Sequence, residues 1–173
     1  MKKLRILIIN GPNLDMLGVR DNNIYGSVDY KGLLEMIKEH ADKRGIKVDF
    51  FQSYFEGEIA RMIAHMNKKA PYSAFGLANV RDMQFVDSIM CDAIVLNAGA
   101  YSHYSYAIRD AIELNDTPIA EVHISDIEKR EEFRHNDVLK DVVDVYIKGE
   151  GLNGYLMAID SLIGILSKDK ING

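Results

Sequence analysis

The stretch Leu4-Arg5-Ile6-Leu7-Ile8-Ile9-Asn10-Gly11-Pro12-Asn13 decides the reading of the fold. Over residues 4–9 apolar side chains follow one another with only Arg5 between them, and three are β-branched. A strand with one face in water alternates apolar and polar residues, whereas a strand covered on both faces is apolar throughout. The run stops at Asn10-Gly11-Pro12-Asn13, a turn-forming sequence. We therefore read residues 4–9 as the central first strand of a parallel sheet. Met1-Lys2-Lys3 in front of it resembles the charged start of a secretory leader. The apolar run is too short for that, however, and leads into no small-residue cleavage site.

Working outward, helical and strand patterns alternate. Residues 14–27 are rich in Gly, Asp and Asn without a period, and long loops in compact domains are commonly functional. Between Asp29 and Arg44, Leu33, Leu34, Ile37 and Ala41 recur at the spacing of one helix face, and Gly45 ends the pattern. Residues 46–52 read as strand two. Ile59, Met62, Ile63 and Met66 mark a second helix, stopped by Pro71. Residues 67–91 mix Gly, Asn, Arg and Asp with aromatics and read as a loop with a short helix around 83–90. Strand three spans 92–96. A helix over 105–114 carries Ala107, Ile108, Ala111 and Ile112 on one face, and strand four spans 118–123. A charged helical turn over 126–133, strand five over 142–147 and a closing helix over 153–166 complete the chain. In that helix Leu156, Ile159, Leu162, Ile163 and Leu166 face inward.

Strands alternating with helices predict the α/β class. Right-handed crossovers then favour a three-layer, flavodoxin-like domain: a five-stranded parallel sheet, order 2-1-3-4-5, with helices on both faces. The 173 residues fit one domain, 1–173, with an atypical stretch at about 67–91. Net charge is −5 with both signs interspersed, and no Lys/Arg run forms a nucleic-acid footprint. No segment approaches the ~18 apolar residues of a membrane span. Cys91 is the single cysteine, so no internal disulfide forms, which suits a reducing cytoplasm.

In such sheets ligands bind beyond the carboxyl ends of the strands, near the switch between strands one and three. Chemically able residues should therefore collect after strands one, three and four. Asn10-Gly11-Pro12-Asn13 follows strand one, and Asn97-Ala98-Gly99-Ala100-Tyr101-Ser102-His103 follows strand three. Strand four ends in Glu121-Val122-His123-Ile124-Ser125. One histidine alone is usually a packing or surface residue; two histidines and two asparagines at one predicted mouth point to a site. Asn13 by itself also suits a plain turn after Gly-Pro. Glu121 lies two residues before His123, on the same side of the strand, and could orient or charge it. Ile124 and Ser125 offer backbone N–H groups and a hydroxyl at what reads as a helix start, a place for an anion and equally for a simple N-cap. Gly149-x-Gly151-x-x-Gly154 spells a dinucleotide fingerprint. It follows the last strand, and no later strand completes a βαβ unit, so we read it as a tight strand-to-helix turn.

Asn10-Gly11-Pro12-Asn13-Leu14 with Leu17-Gly18-x-Arg20 and Tyr25-Gly26 resembles the first motif of the type II 3-dehydroquinate dehydratases. Gln52-Ser53 with Glu56-Gly57-Glu58 is similar to their second. Asn97 through His103 with Ala107-Ile108-Arg109-Asp110-Ala111 is similar to their third, and Glu121 through Ser125 with Arg130-Glu131-Glu132-Phe133-Arg134 to their fourth. Residues 149–155 match the closing turn. The blocks come in the family's order and cover most of the chain.

The resemblance implies a lyase that dehydrates 3-dehydroquinate to 3-dehydroshikimate by anti elimination through an enolate, without metal, imine or cofactor. It makes Tyr25 the base. A free tyrosine with pKa ~10 needs its anion stabilised to act near neutrality, and Arg20 on the same loop is the matching charge. Asn13 is matched to a water on the developing enolate oxygen. His123 is matched to the acid that assists departure of the hydroxyl, with Glu121 behind it. Asn97, His103 and Arg134 match contacts to substrate hydroxyls, and Ile124 and Ser125 the carboxylate site. Asp110 matches a residue reaching the site from a neighbouring subunit. That implies a trimer-based homo-oligomer, in the family a dodecamer, with neither nucleic acid nor membrane as partner.

Four departures are visible, the last at Asp126. Asn22 stands where the family loop carries proline, Tyr54-Phe55 replaces an Asn-His pair, and 67–91 is longer than usual. Asp126, where Asn is common, is expected to point away from an acidic substrate. Other readings are a degenerate family member, an imine-forming dehydratase, a receiver-like signalling domain and a flavin module. The imine-forming enzyme needs a barrel of about 250 residues. The receiver needs acids where Asn10 and Asn97 stand, and the flavin module a phosphate loop after strand one.

Overall fold

The computed structural model describes residues 3–19, 28–67 and 90–172. Five parallel strands, β1 (Arg5–Asn10), β2 (Lys47–Gln52), β3 (Ala93–Asn97), β4 (Ile119–His123) and β5 (Val145–Lys148), lie in the order β2-β1-β3-β4-β5. The helices are α1 (Tyr30–Arg44), α2 (Glu56–His65), α3 (Tyr106–Glu113) and α4 (Asn153–Asn172). This is the flavodoxin-like topology expected from the sequence.

β1 explains the layering. Ile6 and Ile8 face one layer, with Leu33 and Ile37 of α1 and Ile159 and Leu162 of α4. Leu7 and Ile9 face the other, with Ile59 and Ile63 of α2 and Ile108 and Ile112 of α3. All four β1 side chains are fully buried. At roughly 1.5–3 kcal/mol for each such side chain, consecutive burial on both faces outweighs any alternative placement of this strand.

The strand ends are level where the site requires it. Asn10 lies opposite Asn97 in the ladder, and the Gly11 amide donates to the Asn97 carbonyl at 2.8 Å. A Cβ on Gly11 would stand 2.4 Å from the Ala98 carbonyl oxygen, so only glycine lets the two loops touch. At the far side, Gly149 and Gly151 take left-handed backbone, and their amides donate to the His123 and Ile124 carbonyls. The fingerprint-like glycines thus form the strand-to-helix turn that fastens β5 to the end of β4.

Several expectations shift. β5 begins at Val145, not 142, because Val142 closes a turn onto the Leu139 carbonyl while Asp144 holds the Ile119 amide. The charged turn is two 3-10 turns, Ile127–Lys129 and Glu132–Arg134. Ala107 is exposed, so the buried face of α3 is Ile108, Ala111 and Ile112. The closing helix continues past 166 to Asn172, since no breaker intervenes before Gly173. Of the short helix expected at 83–90, only Met90 lies within the described residues. No helix among the described residues is long and apolar enough to cross a membrane.

Candidate active site

Beyond β1, β3 and β4 the chain encloses a cleft lined by Asn13, Asn97, His103, His123, Ser125 and Arg134 among others. Ile124 also lines it. These residues come from three loops that the level strand ends bring together.

Asn13 combines both of its sequence readings. Its φ of 66° is left-handed, alone among described residues other than glycine, and it lines the cleft. Asparagine accepts that region more readily than other residues. Asn97 differs from a free substrate contact. It is buried, one amide N–H donates to the Tyr155 hydroxyl at 3.0 Å, and its Oδ1 accepts from the Gly99 amide at 3.2 Å. Tyr155 in turn donates to Asn10 Oδ1 at 2.7 Å. Asn97 is therefore first an anchor tying the loop after β3 to α4 and β1; one amide hydrogen is left for a ligand.

His103 sits on the 3-10 turn Gly99–His103, where its Nδ1–H donates to the Asn136 carbonyl at 2.8 Å. Burial lowers its pKa, the bond to Asn136 opposes this, and the charges of His123 and Arg134 lower it further. A neutral ring with Nε2 as acceptor follows.

His123 is the opposite case. Its Nε2 lies 2.8 Å from Asp137 Oδ2 and 3.3 Å from Glu121 Oε1. Burial alone would lower its pKa, but the two carboxylates outweigh this and hold it at about 9. The carboxylates divide unequally. Burial pushes fully buried Glu121 up, with His123 opposing. Burial also works on Asp137, but the bonds from His123 and the Leu139 amide prevail and hold it below the usual range. Two imidazoles of unlike charge thus stack 6.3 Å apart at one wall of the cleft. Glu121, His123 and Asp137 bring ligand atoms within 4.8 Å of one another, a spacing a metal ion could use. The positive charge between the two acids is already supplied by the imidazolium, so we read a proton site.

An anion would find its partners opposite. Ser125, Arg130 and Arg134 line the same cleft, and Arg130 donates to Ser125 Oγ at 3.3 Å. Ser125 is not the N-cap. Asp126 caps the following turn by accepting from the Glu128 amide and faces Lys148 and Lys129, away from the cleft. Asp110 is exposed on α3 and does not line this cleft. Arg20 and Tyr25, and Asn22 between them, lie outside the described residues.

One cleft residue, Arg130, and one residue behind the cleft, Asp137, were not singled out from sequence. Arg130 stands four before Arg134 in a motif from which only the second arginine was taken. Asp137 follows His135-Asn136 in a polar stretch with no period, and nothing local indicates that it folds back onto β4.

The family model for class II dehydroquinases matches residues 4–80 and 77–163, the two matches meeting inside the stretch 67–91. A 3-dehydroquinate dehydratase of Lachnoclostridium phytofermentans is 45% identical over 162 residues, covering 94% of this chain and 98% of that one. One from Caldicellulosiruptor bescii is 44% identical over 168 residues, covering 96% and 99%. Among solved structures, the type II dehydroquinase of Butyrivibrio crossotus aligns with a TM-score of 0.76 at 42% identity, covering 93% of this chain and 98% of that one.

Proposed function

The chain belongs to the class II dehydroquinase family, and from that premise we propose the roles its residues play in dehydrating 3-dehydroquinate. It is a hydro-lyase of the type II 3-dehydroquinate dehydratase kind. The observation that carries the mechanistic reading is the charged His123 beside the neutral His103 in one cleft. Elimination of water needs a proton at the departing hydroxyl, and a buried imidazolium lining the site is a competent donor.

In this reading Tyr25, as a phenolate favoured by Arg20, removes the proton alpha to the ketone. The electrons of the broken C–H bond pass into an enolate, and Asn13 orders a water that bonds its oxygen. The enolate re-forms the ketone, the carbon–carbon double bond forms and the β C–O bond breaks. The hydroxyl takes the His123 proton and leaves as water, so atoms and charge balance with no oxidant. His123 then regains a proton, the equivalent of the one Tyr25 took.

The substrate carboxylate is placed against the Ile124 and Ser125 amides, the Ser125 hydroxyl and Arg130. Asn97, His103 and Arg134 take the ring hydroxyls, and Asp110 of one subunit serves the site of another. Adding 3-dehydroquinate to the purified protein and following the ultraviolet absorbance of the conjugated enone tests the activity. A steady rise is expected; none at high enzyme concentration would refute it.

A further inference from the structure

We propose that Asp137 is the positioning residue for His123, acting as its counter-ion and fixing its ring, while Glu121 is the lesser partner. The inference rests on the reading of His123 as the acid.

The geometry favours Asp137 in three ways. Its Oδ2 is 2.8 Å from His123 Nε2, against 3.3 Å for Glu121 Oε1. Its other oxygen accepts from the Leu139 amide at 3.0 Å, so the carboxylate is held at both ends. Glu121, by contrast, has neither oxygen in a hydrogen bond and is wholly buried. A carboxylate taken out of water without hydrogen bonds favours its neutral form, so the anion of this pair is Asp137.

The position of Asp137 is also built in. The Val138 amide donates to the Ser102 carbonyl at 2.8 Å, and Asn136 bonds His103 through both its carbonyl and its side chain. Arg109 of α3 donates to the Val138 carbonyl and pairs with Asp141. The loop that carries Asp137 is thus clamped from α3 and from the turn after β3, and the loop itself holds His103. Both cleft imidazoles therefore depend on residues 136–139.

With Nε2 bonded to Asp137, Nδ1 is the ring nitrogen that remains for a ligand. The other groups facing His123 are His103 from the turn after β3 and Tyr146 from β5, whose ring meets it edge-on at 5.7 Å. Arg134 and Arg130 line the same cleft and carry positive charge. Among these Asp137, as the anion, favours the imidazolium most, with Glu121 the lesser contributor. Removing the Asp137 charge should lower the pH above which His123 loses its proton.

The test compares kcat and KM against pH for the parent, Asp137→Asn, Asp137→Glu, Glu121→Gln and His123→Gln, with circular dichroism to check folding. Asn keeps an oxygen for the Leu139 amide; Asp137→Ser is the second neutral variant should Asn not fold. We expect Asp137→Asn to lose ~10-fold or more in kcat at neutral pH with KM little changed. Its basic limb should move at least about one pH unit lower. Asp137→Glu should recover part of that shift, and Glu121→Gln should shift the limb less than Asp137→Asn.

NMR titration of the His123 ring in parent and Asp137→Asn should give the same displacement without turnover. A profile and titration in Asp137→Asn that overlay the parent's would overturn the proposal, as would activity lost on chelation and restored by zinc. Failure of the underlying reading looks different: His123→Gln would then turn over normally, whatever Asp137 does.

Discussion

At the scale of single residues, the cleft works by giving like groups unlike environments. His103 and His123 are the same side chain, yet one is tied to a carbonyl and the other to carboxylates, so one is neutral and the other charged. That difference has a consequence for stability. The pKa of His123 is raised to about 9 from an ordinary ~6.5, so the stability it contributes is full below ~6.5 and lost as pH rises through about 9. Glu121, also raised, acts in the same direction. Calorimetry should show the thermal midpoint falling between about pH 7 and about pH 10, with a shallower fall in Asp137→Asn. The proposed base gives a separate expectation. Tyr25→Phe should keep the fold and lose ~10²–10⁴ in kcat in the enone assay; near-normal turnover would remove Tyr25 from that role. Neither the histidine states nor the anchoring of Asn97 by Tyr155 could be read from sequence. Apart from Glu121, two residues before His123, both are set by partners 14 to 58 positions away.

At the scale of elements, the period of the apolar residues located most of the structure. α1 runs as expected because Asp29 caps it by accepting from the Gly32 amide at 2.7 Å and Gly45 closes it. The boundary misjudged at β5 is a place where a hydrogen bond to a distant residue replaced the local pattern, whereas the charged turn is split into two 3-10 turns by bonds that all span three residues or fewer. A local turn from Leu139 to Val142 delays β5, and Ile119, 25 residues before Asp144, fixes the residue that precedes it. The contact between the first and third loops depends on a missing side chain. Gly11→Ala would press a methyl into the Ala98 carbonyl, and backbone cannot yield as a flexible side chain can. We expect a loss of ~1–3 kcal/mol in urea unfolding and a weakened KM, because Asn13 and Asn97 would be pushed apart. An unchanged KM would show that the two loops can separate without harm to the site.

At the scale of the whole molecule, the described cleft draws its lining from the ends of three strands, and Asp110 lies outside it on α3. If Asp110 serves a neighbouring subunit, inactive Asp110→Ala and His123→Gln chains should regain activity when co-expressed, since some hybrid sites then hold both intact residues. No recovery in verified mixed oligomers would confine each site to one chain. The α/β class, the strand order and the mouth at which Asn13, Asn97, His103 and His123 meet were legible in the residue pattern. They were so because burial on both faces imposes a continuous apolar run, helix faces impose a period, and strands alternating with helices leave few topologies. The structure was needed to show which imidazole is charged, that Asp126 rather than Ser125 is the cap, and that Asp137 stands against His123. Proton affinities and hydrogen-bond partners are set by what lies within a few ångströms. In a fold of parallel strands those neighbours lie on separate loops, 14 residues apart for His123 and Asp137 and 33 for His103 and Asn136, and no local period records them.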